Sequence, residues 1–207
     1  AEEKIYLRNH SPTSIINWFE RYPPLGGIGK IKLAEAHLEK GNIEKVRELI
    51  KEGWVVADIR KNDLGYYRAK FKKFIDSDDH IKRADHLAWE RKHWDLKRML
   101  KYLPSDQRAL YNARQILMSN SYGVDNAINK VPEYLKQDPG LEFDRLRWRN
   151  RRGRLEGSLE ILYRNSLKTE DQMVRPDKWW DQRESVVRNL IYKKRYKSAY
   201  KISSEHA

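Results

Sequence analysis

One unit, a helix closed by a tight turn and followed at once by a second helix, recurs four times and constrains the fold of this chain more than any other feature. After Gly41, Arg91, Gly153 and Lys194, the inward positions fall two, five, eight and nine residues beyond the turn. They are Ile43, Val46, Leu49 and Ile50 in the first copy, and His93, Leu96, Met99 and Leu100 in the second. The third copy has Leu155, Ser158, Ile161 and Leu162, and the fourth Tyr196, Ala199, Ile202 and Ser203. Spacings of three and four residues gather such positions on one helical face. Small residues five beyond the turn, Ser158 and Ala199, let neighbouring helices approach closely, as in tetratricopeptide-like arrays. The turns lie about 50, 62 and 41 residues apart, too unevenly for a strict repeat. The expectation is therefore an all-α chain, an irregular α-solenoid of helical hairpins forming one domain over residues 1–207.

Local signals fill in the rest. Ser11-Pro12 reads as the capped start of a short helix, and Pro23-Pro24 with Gly26-Gly27 as the break after it. The first hairpin is expected over 28–40 and 43–56, with Gly41 as C-cap and Asn42 as N-cap. Helices are also expected over 64–75, from Pro104-Ser105 through Met118, and over 124–136. Breaks are expected at 119–123, at Asp138-Pro139-Gly140 and at 165–176.

Composition then narrows the function. Lys and Arg number 43 against 30 Asp and Glu, a net charge of +13 that draws the protein to polyanions such as nucleic acid, acidic membrane surfaces or an anionic cell-wall polymer. With no cysteine, disulfides, thiolate metal sites and a cysteine nucleophile are excluded. Apolar runs stay short, so no membrane span is expected, and the first twenty residues carry no signal-peptide core.

Several motifs fail on their chemistry. Gly26-Gly27-Ile28-Gly29-Lys30 resembles a phosphate-binding loop, but Pro24 stands where the motif needs its first Gly and Ile31 where it needs Ser or Thr. Asp76, Asp78 and Asp79 suggest a calcium loop, yet Ile81 and Leu87 occupy the Gly and Glu positions, so a solvated helix start is the better reading. No two of the six histidines are three or four apart, so no metal site is expected. No Ser sits in a Gly-flanked elbow, and no cofactor signature occurs.

The densest signal is the run from Asp144 to Arg154, with six arginines in ten residues: Arg145, Arg147, Arg149, Arg151, Arg152 and Arg154. At 100° per residue they cannot share one face, and Leu146 and Trp148 are the expected buried anchors. Two readings stand. The guanidinium groups fork onto phosphate, carboxylate or sugar hydroxyls while Trp stacks on a ring, or they pair with acidic side chains on adjacent helices and cap helix carbonyls. Trp179-Trp180 is the second candidate, with one ring expected in the core and at most one as a binding platform. The candidate binding residues are thus Arg145, Arg147, Trp148, Arg149, Arg151, Arg152, Trp179 and Trp180.

These segments resemble the helical, U-shaped domain of soluble lytic murein transglycosylases, alphaproteobacterial ones in particular. The specific matches are Asp144-Arg145 with Arg147-Trp148-Arg149, and Arg175-Pro176 with Trp179-Trp180 and Arg183. Weaker ones include Trp18-Phe19, Arg21-Tyr22-Pro23-Pro24-Leu25, Leu33 to Leu38 with Gly41, Arg83 to Trp89, Val131-Pro132, Asp138-Pro139-Gly140 and Tyr200 to His206. The resemblance implies a periplasmic enzyme that cleaves the bond between N-acetylmuramic acid and N-acetylglucosamine to leave a 1,6-anhydro ring. It implies a peptidoglycan strand as partner, together with other cell-wall enzymes and the enzyme's own C-terminal lysozyme-like domain, which would follow Ala207. Nucleic acid is no partner on this reading. Glu184-Ser185 mimics the family's catalytic dipeptide, but Trp180, Asp181, Gln182 and Arg183 precede it in place of an apolar pair, so Glu184 is assigned no catalytic role. The expectation is a noncatalytic superhelical part that binds or steers murein, with no catalytic residue in this chain. The alternative is a basic helical-repeat RNA-binding protein or protein-interaction scaffold.

Overall fold

The computed structural model describes residues 10–119, 121–166 and 173–205. Its described residues are all-α, about 75% helical and without strands, in twelve α-helices packed against one another. The chain divides into two compact units, 1–107 and 108–207.

The first unit contains α1 (Pro12–Arg21), α2 (Gly27–Glu39), α3 (Ile43–Val56), α4 (Leu64–Lys70), α5 (Ser77–Trp89) and α6 (His93–Met99), then a 3₁₀ turn at Leu100–Tyr102. Helix α7 (Ser105–Ser119) runs across the boundary. The second unit continues with α8 (Val124–Asn129), a 3₁₀ turn at Glu133–Leu135, α9 (Pro139–Arg151), α10 (Leu155–Asn165), α11 (Pro176–Tyr192) and α12 (Tyr196–Ser204). In the first unit α2 packs on α1 and α3, α3 on α5, and α5 on α6. In the second, α9 packs on α10, both pack on α11, and α11 on α12.

The four expected turns share one geometry. Gly41, Arg91, Gly153 and Lys194 all have φ between 57° and 76°, in the left-handed region. At each, the turn residue's N–H reaches back three residues and the next N–H reaches back five: Gly41 to the Leu38 carbonyl (3.2 Å) and Asn42 to that of His37 (2.9 Å), for example. Lys92 to Leu87, Arg154 to Arg149 and Arg195 to Leu190 repeat the longer bond at 2.8–2.9 Å. These paired bonds satisfy carbonyls that a helix end leaves open. Glycine adopts this backbone freely, whereas Arg91 and Lys194 hold it against Cβ repulsion.

Burial follows the expected register most closely five residues past the turn, where Val46, Leu96, Ser158 and Ala199 are all buried. Two residues past it the pattern is looser, since Ile43 and Tyr196 are exposed and Leu155 is buried. Trp54, Phe71, Ile31, Ile50 and Met99 fill the centre of the first unit, and Leu117, Leu141, Leu146, Leu162 and Val186 that of the second.

Four local expectations change. Asn42 does not cap α3 with its side chain; its amide meets the His37 ring at 3.1 Å instead. Helix α4 ends at Lys70, because a three-residue bond from Phe74 N–H to the Phe71 carbonyl (2.9 Å) tightens the chain before Asp76 starts α5. The helix expected over 124–136 stops at Asn129, since Pro132 lacks an N–H and disfavours helix at Val131. Asp138-Pro139-Gly140 opens a helix rather than only breaking one: Asp138 accepts from Leu141 N–H at 2.8 Å and Pro139 stands in the first turn. Of the expected breaks, Asn120 and residues 167–172 lie outside the described residues, as does His206 in the murein-like C-terminal match.

The acidic start of α5 is a capping box. Asp76 accepts from Asp79 N–H at 3.1 Å, and Asp79 accepts from Asp76 N–H at 3.0 Å. The Asp79 hydrogen bond holds the Asp76 carboxyl below its ordinary value. Asp79 is buried, so the helix start is solvated only in part.

Candidate functional site

The arginine-rich segment forms the C-terminal half of α9 and the turn into α10. Asp144, just before it, is buried against the fully buried Arg114 of α7, with Nε donating to the carboxylate at 2.8 Å. Arg114 also lies against Gly140, where a Cβ would overlap its guanidinium. Glu142, 3% exposed, accepts from Arg164 at 2.8 Å and from the Asn165 amide at 3.2 Å.

The segment's own cations are largely engaged within the unit. Arg149 donates to the Gly157 carbonyl at 2.6 Å and reaches Glu160 at 3.1 Å. Arg151 donates to the Leu117 carbonyl near the end of α7 at 2.7 Å. Arg147 stands over the Phe143 ring at 5.9 Å. Arg152 and Arg154 flank the Trp148 ring at 5.6 and 4.6 Å. Arg145 is half-buried; burial, and after it the neighbouring Arg149, push its guanidinium below the ordinary value. Leu146 and Trp148 are both buried, as expected of anchors.

Arginines used as carbonyl caps recur elsewhere. Arg183, 3% exposed, donates to the Ile202 carbonyl at 2.7 Å and the Glu205 carbonyl at 3.3 Å, closing the end of α12. Arg83 in the first unit donates to the Trp54 carbonyl near the end of α3 and lies over the Trp54 ring. A cation there also complements the negative end of the helix dipole.

The tryptophan pair divides as adjacent helical residues must. Trp179 is buried edge-on against Phe143, with ring centroids 5.5 Å apart, while Trp180 is 47% exposed. Glu184 is exposed and accepts from Arg188 one turn on at 2.5 Å. Ser185 accepts from the Asn150 amide at 3.1 Å.

The structure also places functional-looking side chains that motif reasoning passes over. Tyr192, Tyr196 and Tyr200 are all more than 60% exposed, in a stretch that also carries Lys193, Lys194, Arg195, Lys197 and Lys201. Its signal in the sequence is the recurrence of Tyr every fourth residue among cations. In the first unit, the buried Glu35 accepts from Lys32 (2.7 Å), Lys70 (2.6 Å) and Tyr66 (2.5 Å). Burial pushes the Glu35 carboxyl up, but these donors outweigh it and hold the group below its ordinary value. That network is an interhelical lock between α2 and α4, with both carboxylate oxygens of Glu35 engaged.

Among the described residues no helix is long and apolar enough to cross a membrane, and no three His, Cys, Asp or Glu side chains gather as metal ligands would. Comparison of the chain with protein-family models, with curated proteins and with solved structures finds no match.

Proposed function

We propose that this chain is the noncatalytic superhelical part of a periplasmic lytic transglycosylase, and that it holds or steers the murein strand for a lysozyme-like domain of the same enzyme. The observation that carries the reading is Trp180, whose exposed ring stands on a helix anchored by the buried Trp179. An exposed indole offers a flat apolar face to a pyranose ring. The chain's overall excess of cations favours the carboxylates of murein peptide stems. The motif resemblance of the Arg/Trp and Trp-Trp segments supports the same assignment.

The test is cosedimentation of the whole chain with purified murein sacculi. Trp180→Ala should weaken binding several-fold, about what one aromatic stacking contact contributes, while Glu184→Gln leaves it unchanged. Release of anhydromuropeptides by the chain alone would overturn its noncatalytic assignment.

A second reading, an RNA-binding helical protein, is favoured by one observation, the exposed Tyr192, Tyr196 and Tyr200 among cations. Stacking rings on a basic surface suit single-stranded nucleic acid. Salt separates the two, because RNA affinity falls steeply with ionic strength through counterion release. Tight RNA binding at physiological salt, lost in Tyr196→Ala/Tyr200→Ala, would put this reading first.

A further inference from the structure

The first unit holds a cleft of about 430 Å³, within the size range of small-ligand sites. Lys61, Asn62, Lys97, Arg98, Lys101 and Tyr102 line it, and no carboxylate does. Lys97 comes from the last turn of α6 and Lys101 from the 3₁₀ turn that follows it, and both line the cleft. Lys61 comes from the loop before α4. Asp95 holds Arg98 in a hydrogen-bonded pair, so that one guanidinium is already neutralised. Among the described residues, no carboxylate forms an ion pair with Lys61, Lys97 or Lys101; the latter two stand over the Trp94 and Tyr102 rings at 5.5 and 5.0 Å.

The wall of this cleft is held from behind. Arg68 stacks on the Tyr102 ring at 4.5 Å, and the His80 ring lies 5.8 Å from it. The tyrosine is therefore held between neighbours, and Lys61, Lys97 and Lys101 line the same cleft with it. Like charges gathered around one concavity repel, and a multivalent anion placed among them removes that repulsion.

We propose that this cleft binds a small ligand bearing two or more phosphoryl groups. Lysine ammoniums bind phosphoryl oxygens as point charges from several directions, and three of them around one concavity favour a ligand with several anionic groups over a lone carboxylate. At about 430 Å³ the cleft suits a compact molecule more than a strand. The assignment is independent of the murein reading, which concerns the second unit.

Calorimetry of the whole chain with inorganic tripolyphosphate, at about 0.15 M salt where long-range surface attraction is screened, tests it. One-to-one binding is expected. Lys97→Ala/Lys101→Ala should weaken it at least about tenfold, the loss of two charge-assisted contacts. Lys72→Ala/Lys73→Ala removes the same charge from exposed positions outside the lining and should change it far less. Thermal melts establish that both variants fold, and Lys61→Ala supplies a second cleft variant from a different segment. No saturable binding, or equal weakening in the two double variants, would overturn the site. Citrate binding as tightly as tripolyphosphate would overturn the phosphoryl class. A single-stranded oligonucleotide competing at lower phosphate concentration would overturn the small-ligand assignment.

Discussion

The arginine-rich stretch of the second unit and the lysine-lined cleft of the first carry similar local charge and use it in opposite ways. Around α9, guanidinium groups are spent on the protein itself: Arg149 and Arg151 on carbonyls, Arg152 and Arg154 on the Trp148 ring. Around the cleft, Lys61, Lys97 and Lys101 surround a concavity without a lining carboxylate. Arginine's planar fork of donors spans two acceptors and tolerates partial burial, while an ammonium on a flexible stem stays hydrated at the surface. The density of charge along a sequence is therefore a poor guide to where charge remains for a ligand.

The sharpest way to break that comparison is to remove a structural arginine. Arg114→Met leaves Asp144 as a buried charge without its main partner and should destabilise the second unit by about 3–5 kcal/mol, read by urea denaturation. A loss under about 1 kcal/mol would mean that the buried pair contributes little beyond its packing. Next in size is Arg183→Ala, which strips the Ile202 and Glu205 carbonyls of their donor and should cost about 1–3 kcal/mol. Hydrogen exchange should then show α12 opening before α9.

A smaller effect belongs to the first unit. Burial, and then Arg68, push His80 below its ordinary value of 6.5, so the folded state resists protonation while the unfolded chain accepts it. Stability from this residue is complete above about pH 6.5 and declines as the pH falls toward the folded value. His80→Phe should flatten that part of the pH profile in denaturant titrations, leaving the contribution of His37, which burial also lowers. Smallest of all should be the stability change of Lys97→Ala/Lys101→Ala, within about 0.5 kcal/mol as for surface substitutions away from structural features. A substantial loss there would show that the cleft lysines, like the arginines of α9, serve the fold.

Much of the architecture is legible in the sequence. The four turns are readable because a left-handed closing residue and apolar spacing are local, and even Arg91 and Lys194, without glycine's ease, were placed by the register of the helix that follows. The divided fate of Trp179 and Trp180 follows from helical geometry alone. The early ends of α4 and α8 were less visible, since apolar spacing continues past them and only tertiary docking of Phe71 and the proline at 132 stops the helix. The Arg114–Asp144 pair spans thirty residues, and no local pattern announces it.

The sequence by itself determined the all-α class, the positions of the hairpin turns and the basic surface, because each arises from neighbours along the chain. Only the tertiary structure decided which cations are consumed and which remain. An arginine's partner is a carbonyl or carboxylate on another helix, and a cleft exists only where α4 and α6 come together from segments more than thirty residues apart.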